Sequence, residues 1–485
     1  MIVARVLTVV LAILLVAGCG DGGDEPEAEA PAPAATTPGS GSASEPEFEP
    51  VVYQDDFAAS IKPIIEESCS GCHLPGGPGA THLSMATAGE VRDAAPLIAA
   101  QVSAAMMPPW PAAGDSPPFL GDRRLREDQI RAIVDWSRTG TINVPAKTPI
   151  APGPPVDALT EVDIEITPAE GYAGSPEEVD HYRCQVYDPG VTERTWLQGF
   201  EFVPERTQVV HHAIAYRMDA SARAQAEEAE AAAPGAGWPC FGSSGLDPAA
   251  ETFALGWAPG QSPTVFPEGS GLPIAAGDFF VVQVHYHYDD DRPEDRSSLK
   301  LDLAEQPETG ALDDIVVTEF VAPAEIPCGE GESGPLCDRN AALAAAKEKY
   351  GPEGVQANET NIFCGTEPED YALVDGVASS RCSLPARAEG DIVSVFGHEH
   401  ELGRSFRMVL NEGSADEKVL LDIPRWDFDW QLNYVPAEKI QVKPSDRITI
   451  ECSWDRGLRD PALEPAYVLW ADGSDDEMCF ATVVT

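Results

Sequence analysis

Two histidines separated by a single residue are the first feature that could bind a metal. His398 and His400 follow the apolar run Val395–Phe396, which predicts a strand. Side chains two residues apart on a strand point to the same face, so both imidazoles could bind one ion. Two imidazoles leave coordination positions open, as a catalytic metal requires. Taken alone, such a pair more often consists of ordinary surface or core histidines.

A second motif points to haem. Cys69, Cys72 and His73 form a C-x-x-C-H sequence, the attachment site of a c-type haem. The two thiols would bond the vinyl groups, and the histidine would bind the iron from below. A zinc site or a redox-active thiol pair is the alternative.

A haem iron needs a second axial ligand, and a methionine-containing loop offers one. Met107 is followed by Pro-Pro-Trp, and we predict it as the distal ligand ahead of Met106 and Met85. Apolar positions at helical spacing in 57–65 and 125–136 predict helices on either side. We therefore expect residues 51–145 to form a small all-α cytochrome c-like domain.

Three further histidines lie in apolar runs that predict strands. His211 and His212 are adjacent, so on a regular strand they would point to opposite faces. Both can bind one ion only if the backbone turns locally or the rings use different nitrogens. His285 ends another run, and His287, two residues later, is an alternative to it. Met478 stands beside a cysteine near the C-terminus, a setting typical of core packing.

The N-terminus predicts export. Arg5 and the apolar run 6–16 indicate a signal peptide over residues 1–18, and small residues before Cys19 resemble a bacterial lipobox. Cys19 would then be lipidated and anchor the protein to a membrane, facing the periplasm or the cell exterior. An ordinary secretory signal is the alternative. Either way, the compartment permits disulfides.

The segments that follow differ in composition. Residues 19–50 contain almost no large apolar side chain and predict a disordered tether. Residues 146–160 are proline-rich and predict a linker. From 161 onward, short alternating apolar runs bounded by Gly, Pro and Asp predict β-sandwiches. The 81 acidic and 31 basic residues give a formal net charge of -50, which argues against nucleic acid and anionic membrane surfaces as partners.

The order of the motifs carries a resemblance. His-His, Gln-Val-His-Tyr, His-x-His-x-Leu-Gly-Arg and Asp-Glu-Met-Cys follow one another as in the copper type II, ascorbate-dependent monooxygenases. The resemblance covers roughly residues 165–485. Between these motifs, further matching words lie at 180–184, 237–240, 256–260, 426–431 and 448–452.

The resemblance implies two mononuclear copper sites on two jelly-roll β-sandwich domains that face a solvent cleft. The N-terminal copper domain would span 161–310 and the C-terminal one 311–485. By position, the electron-storing copper would be bound by His211, His212 and His285. The catalytic copper, which binds oxygen and substrate, would be held by His398, His400 and Met478. A thioether favours Cu(I), the form that must exist before dioxygen binds.

The cysteines fit an exported protein. Setting aside Cys19 and the two haem thiols leaves eight of 11. The resemblance implies the pairs Cys184–Cys240 and Cys452–Cys479. The remaining four lie in an unmatched insertion, and the local guess for them is Cys328–Cys337 and Cys364–Cys382.

The predicted fold class is therefore multidomain, with a small all-α cytochrome c-like domain followed by two all-β jelly-roll sandwich domains. The predicted function is copper-dependent hydroxylation of a C–H bond in an unknown small organic substrate by dioxygen. A quinol chain, a cytochrome or a small reductant would donate electrons, and the chain's own haem would relay them to the copper at His211, His212 and His285. Alternatives are a non-catalytic haem and copper redox sensor or electron carrier, and a copper-storage protein.

Overall fold

The computed structural model describes residues 57–485, except 76, 140–143, 154–158, 177–178, 260, 289–290 and 305–310. The predicted signal peptide, Cys19 and the tether lie outside the described residues. From residue 51 onward the chain forms one compact unit. None of the described helices has the length and apolar character needed to cross a lipid bilayer.

The described α-helices are short, and most of them precede the sheets. Their bounds are α1 Lys62–Ser68, α2 Ser70–His73, α3 Ala88–Asp93, α4 Ala95–Ser103, α5 Glu127–Thr139, α6 Arg223–Ala232, α7 Arg339–Tyr350 and α8 Asn361–Cys364. Thr87 begins α3 with a capping box, in which Thr87 and Glu90 each bind the other's backbone N–H. Side chains such as Ile65, Val91 and Ile133 bury the apolar faces of α1, α3, α4 and α5 in one cluster.

Two packed sheets make up the first β region. Its strands are β1 Ile164–Ile166, β2 Asp180–Tyr187, β3 Thr195–Val203, β4 Val210–Met218, β5 Trp238–Pro239, β6 Glu251–Trp257, β7 Thr264–Val265, β8 Ser270–Ile274, β9 Phe279–His287, β10 Ser298–Ala304 and β11 Asp313–Asp314. One sheet has the order β5-β2-β9-β4-β6, and the other has β1-β10-β3-β8-β11 with β7 paired to β3. Leu197, Phe280 and Leu301 lie in the core that the strands of both sheets share.

Strand β9 is the central strand of the five-stranded sheet. Eight of its nine residues are buried, and only His287 is partly exposed. Both faces of this strand are therefore covered. One face lies in the core between the sheets, while Gln283 and His285 share the other.

The second β region is built from smaller sheets. Its strands are β12 Val317–Val321, β13 Glu325–Ile326, β14 Val377–Pro385, β15 Gly390–Asp391, β16 Ser394–His398, β17 Gly403–Leu410, β18 Lys418–Ile423, β19 Gln441–Val442, β20 Arg447–Asp455, β21 Val468–Leu469 and β22 Phe480–Val484. The largest sheet has the order β14-β20-β17-β18, and the three-stranded sheet has β12-β22-β16. Two-stranded pairs, β13 with β21 and β15 with β19, complete the region.

Four disulfides brace the two β regions, and they match the four predicted pairs. They are Cys184–Cys240, Cys328–Cys337, Cys364–Cys382 and Cys452–Cys479. The thiols of Cys69 and Cys72 are free.

The predicted fold class is wrong. The described chain is mostly β-sheet with a few short helices, and no separate all-α cytochrome c-like domain is present among the described residues. The physical reason is loop 104–122, between α4 and α5. Trp110 and Phe119 of this loop are buried in the core of the second β region. The Ala113 N–H donates to the Asp422 carbonyl (2.9 Å), and the Leu120 N–H donates to that of Val435 (2.9 Å). The loop that joins α4 to α5 thus shares a core with the second β region, while the helices pack around a cluster of their own.

Candidate metal centres

A β-bulge brings the first three histidines together. In the pairing of β4 with β9, Val210 lies opposite Tyr286 and His212 lies opposite His285, so His211 is the extra residue. A bulge leaves its extra residue unpaired and redirects a side chain. The local turn that the adjacent histidines require is therefore present in β4.

The three rings form a compact group. Ring centroids lie 5.3 Å apart for His211 and His212, 5.0 Å for His211 and His285, and 4.8 Å for His212 and His285. One ligand atom from each residue lies within 4.8 Å of the others. The Nδ1 atoms of His211 and His212 are 3.2 Å apart. Nitrogens around a tetrahedral ion with bonds of about 2.0 Å stand roughly 3.3 Å apart, so the ring nitrogens would have to move closer together to bind one ion.

Asp180 orients the third ring. The Nε2–H of His285 donates to Asp180 Oδ1 (2.9 Å), and His285 Nδ1 is buried with no partner among the described residues. The same carboxylate oxygen accepts from His287 Nδ1 (2.8 Å). Burial raises the pKa of Asp180, but its hydrogen bonds with the two histidines outweigh burial and hold that pKa well below its usual range. His285 therefore contributes a ring nitrogen to the histidine cluster. His287 binds the same Asp180 carboxylate instead.

Aromatic side chains fix the remaining freedom of this group. Tyr182 stacks on His285 with ring centroids 4.3 Å apart, and Phe428 stacks on His211 at 4.4 Å. Burial lowers the pKa of His211 and of His212 well below the usual value. Neutral imidazole is the form that binds metal.

The second group lies at the end of β16. His398 and His400 have ring centroids 5.0 Å apart, as expected for side chains that share a face. The Nδ1–H of His398 donates to Gln431 Oε1 in a short hydrogen bond, and His400 Nδ1 donates to the Asp476 carbonyl at 3.2 Å. Each ring therefore has its Nε2 available to a metal. Burial lowers the pKa of His398 to about 4, which keeps the ring neutral.

The backbone holds Met478 close to this pair. The Glu477 carboxylate accepts from the backbone N–H of His400 (2.9 Å) and of Met478 (3.2 Å). Next to it, Cys479 is joined to Cys452 of β20. Met478 is half-buried and packs against the core of the second β region. Its role as a copper ligand stays a prediction.

The two groups adjoin each other. The rings of His212 and His398 have centroids 6.0 Å apart. Phe428 connects the groups, since it stacks on His211 and lies 6.1 Å from the His400 ring. The resemblance implied two sites separated by a solvent cleft. In this structure the two β regions close on one another at the histidines instead.

The C-x-x-C-H motif spans the start of α2, with Cys69 as the N-cap residue and Cys72 and His73 within the helix. His73 Nδ1 donates to the Leu83 carbonyl (2.8 Å), which leaves Nε2 as the nitrogen able to bind iron. Both cysteine thiols are free, as thioether formation requires. These residues fit a covalent haem. Met85 is buried in the helical core, whereas Met107 is half-buried in the loop. The distal role of Met107 stays a prediction.

Sequence reasoning missed the residues that orient the histidines. Asp180 and Gln431 lie inside words that carried the resemblance, but neither was assigned a role there. Phe428 lies in the same word as Gln431, and Glu477 directly precedes Met478. A carboxylate or amide beside a ligand-bearing strand is the signal that could have identified them.

Comparison with known proteins supports copper chemistry in the first β region. Residues 171–293 match the family described as copper type II ascorbate-dependent monooxygenase, N-terminal domain. This match associates the chain with copper-dependent monooxygenases, which use dioxygen and an organic substrate. The matched segment contains His211, His212 and His285. A comparison with curated proteins finds no match.

Solved structures add no argument. A structure of allantoicase is 9% identical over 59% of this chain and 80% of that chain, with a TM-score of 0.16. A mutant of Bacillus subtilis oxalate decarboxylase is 10% identical over 69% of this chain and 80% of that one, with a TM-score of 0.12. A Lactobacillus farciminis oxalate decarboxylase is 10% identical over 68% and 87%, also with a TM-score of 0.12. Similarity at this level says nothing about the fold or function of this chain.

Proposed function

We propose that this protein is a copper-dependent monooxygenase that hydroxylates a C–H bond of a small organic substrate. The overall reaction takes the substrate, dioxygen, two electrons and two protons to an alcohol and water. His211, His212 and His285 would hold one copper ion. His398, His400 and Met478 would hold a second, at which oxygen and substrate react.

The observation that carries the proposal is the convergence of five histidine rings, of which His285, His398 and His400 are buried and His211 and His212 are half-buried. His285, His398 and His400 each have one ring nitrogen engaged by a carboxylate, an amide or a backbone carbonyl. Such outer contacts fix the tautomer and leave the other nitrogen for a metal. Ordinary core histidines do not gather in this way.

Copper bound there would supply one-electron reduction and activation of dioxygen. The protein's own residues do the positioning. Asp180 and Gln431 hold His285 and His398 in one tautomer, and Phe428 and Tyr182 keep two rings in place by stacking. Burial of the rings excludes water, which strengthens electrostatic interactions and limits side reactions.

We further propose that Cys69, Cys72 and His73 bind a covalent haem c, with Met107 on the opposite side of the iron. This haem would supply single electrons to the copper held by His211, His212 and His285. The stretch between α4 and α5 contacts both β regions. These contacts support the proposal that the haem of this chain donates electrons to the copper. Trp110 packs edge-on against Tyr434 (centroids 5.3 Å apart), and Arg123 Nη2 donates to Ser262 Oγ (3.4 Å).

We also propose export and membrane anchoring through Cys19. Four disulfides support an oxidising compartment, because such bonds are rare in the cytosol. Haem attachment to a C-x-x-C-H motif is compatible with the same compartment. A quinol chain, a cytochrome or a small reductant would supply electrons from outside.

Metal loading tests the proposal. Chelator-treated protein is reloaded with copper, and the bound copper is counted by elemental analysis. We expect two copper ions per chain, and one each in the variants His212→Ala and His398→Ala. Substrate-dependent oxygen uptake should require both. Tight copper binding without oxygen uptake across a broad panel of organic compounds would favour a redox carrier or a storage protein instead.

A further inference from the structure

The loop that contains the predicted distal methionine packs against the segment that orients the histidines. Trp110 follows Met107 by three residues in loop 104–122. Its indole meets the Tyr434 ring edge-on, with centroids 5.3 Å apart and an interplanar angle of 87°, a favourable arrangement for two aromatic rings. The Phe119 ring lies 5.0 Å from the same tyrosine ring. Tyr434 is only 1% exposed, so water is excluded from this aromatic contact.

Arg123 connects the C-x-x-C-H motif to this aromatic contact. Burial raises the pKa of the Cys72 thiol, and the positive charge of Arg123 opposes that rise. Burial also raises the pKa of the Tyr434 hydroxyl, which a hydrogen bond with the Ala112 backbone and the charge of Arg123 lower in part. Because Coulomb interactions fall off with distance, both groups lie near this one guanidinium. The predicted site of haem attachment and Tyr434 are therefore neighbours.

Two backbone hydrogen bonds connect Tyr434 to β16. The Tyr434 N–H donates to the Val395 carbonyl, and the Val395 N–H donates to the Tyr434 carbonyl, both at 2.9 Å. Val395 precedes His398 by three residues on this strand. Electron tunnelling is attenuated less through covalent bonds and hydrogen bonds than across gaps between atoms. The two hydrogen bonds therefore connect the aromatic contact to the second histidine group.

The residues before Tyr434 provide a second connection. Gln431 lies three residues earlier, and its Oε1 accepts from His398 Nδ1 in a short hydrogen bond. Earlier still, Phe428 stacks on His211 with ring centroids 4.4 Å apart. This stretch of chain thus contacts loop 104–122 at one end and both histidine groups at the other.

A direct route from the helical segment to the first β region is less favourable. Arg123 Nη2 donates to Ser262 Oγ at 3.4 Å, which is longer than the usual range for such a bond. Ser262 is half-buried and lies in the loop between β6 and β7, outside the strands that carry His211, His212 and His285. The contacts of Tyr434, in contrast, are buried and lead directly to the strand that ends at His398.

We propose that Trp110 and Tyr434 form the path by which electrons pass from the haem to the histidine groups, with His398 as the point of entry. This inference rests on the proposed haem and copper loading. The step transfers one electron and no atom, so oxidation of ferrous to ferric haem balances reduction of one Cu(II) to Cu(I). Neither aromatic ring is itself oxidised, and no proton moves. The His212 ring lies 6.0 Å from that of His398, so copper in the first group can be reduced in turn.

The test follows electron transfer without oxygen or substrate, so turnover is not its readout. The full chain, loaded with haem and Cu(II), is kept anaerobic. A photoexcited ruthenium reagent reduces the haem in a flash, and the haem absorption then reports its reoxidation by copper, with copper-free protein as background. We expect Trp110→Leu and Tyr434→Leu to slow this reoxidation at least tenfold, because each removes one ring from the path. The matched variants Trp110→Phe and Tyr434→Phe keep a ring and should retain most of the rate.

Further measurements separate electron transfer from a structural role. The haem absorption, haem reduction potential and copper content of each variant should equal those of the unaltered chain, since neither ring is a proposed ligand. If Tyr434→Leu does not fold, Trp110→Leu decides the outcome. The variant His212→Ala, with copper in the second group only, should keep fast reoxidation, because entry at His398 is intact.

The outcomes distinguish this inference from the proposed function. Equal rates in the leucine variants and the unaltered chain would overturn the path through Trp110 and Tyr434 alone. Loss of fast reoxidation in His212→Ala would overturn entry at His398. An unaltered chain that binds no haem or no copper would overturn the proposed function, and this inference with it.

Discussion

At the scale of single residues, the candidate centres depend on side chains that lie far away in the sequence. Gln431 is 33 positions from His398, and Asp180 is 105 positions from His285. The histidines themselves could be identified from their spacing and motif order. Their partners could not, because a hydrogen bond across strands depends on register and loop path, and no local pattern encodes those.

Removing the amide beside His398 should weaken the second metal site alone. In Gln431→Ala the His398 Nδ1–H loses its acceptor, so the ring can rotate or change tautomer. We expect a 10- to 100-fold loss of copper affinity at this site, the range typical for outer contacts of metal ligands. Competition with a chelator of known affinity measures it. The exposed Gln441→Ala serves as a control, and equal affinities in both variants would contradict the role.

Asp472 should give the free energy of unfolding a distinct pH dependence. Burial raises its pKa from 3.8 to about 7, so the folded state holds a proton that the unfolded state has lost. Stability is therefore present below about pH 4 and is lost as the pH rises to about 7. Asp472→Asn should remove this loss and stabilise the protein at pH 8 by roughly a few kcal/mol.

The comparison is made by urea denaturation of both proteins at pH 4.5 and pH 8. A variant that is less stable than the parent at pH 8 would show that Asp472 is ionised and well solvated.

At the scale of elements, the bulge in β4 is the decisive feature. The sequence left two ways for adjacent histidines to share an ion, and the structure contains the local turn. Apolar alternation predicts a strand over this segment but does not show where an extra residue enters it. The helices in 57–65 and 125–136 could likewise be predicted from apolar spacing. The packing of the loop between the helices against the second β region could not be predicted, because Trp110 and Phe119 lie in a proline-rich loop without periodic apolar spacing.

Loop 104–122 should contribute strongly to stability. Trp110 is 9% exposed and packs against Tyr434. We expect Trp110→Ala to lower the free energy of unfolding by about 3 kcal/mol, near the lower end for buried aromatic truncations, because its ring keeps some contact with solvent. Leu120 lies in the same loop but is 60% exposed, so Leu120→Ala should cost under about 0.5 kcal/mol. If urea denaturation gave equal losses of unfolding free energy for Trp110→Ala and Leu120→Ala, the loop would not join the helices to the second β region.

At the scale of the whole molecule, the two β regions meet at the histidines. Motif order and resemblance grouped six ligands into two sets, and five of them form adjoining clusters in the fold. The distance between the sets lay beyond sequence reasoning, because it depends on how two independently patterned regions pack. The segment around Phe428 and Gln431 contacts both sets, so it is the physical link between them.

The central claim is that dioxygen is split between product and water at His398, His400 and Met478. The most direct measurement supplies ¹⁸O₂ to copper-loaded protein with a reductant and a panel of small organic compounds, and follows products by mass spectrometry. We predict an alcohol that carries one ¹⁸O atom. This product should disappear in Met478→Ala, while the copper at His211, His212 and His285 is retained. Absence of ¹⁸O from every product, or full incorporation in Met478→Ala, would contradict the account.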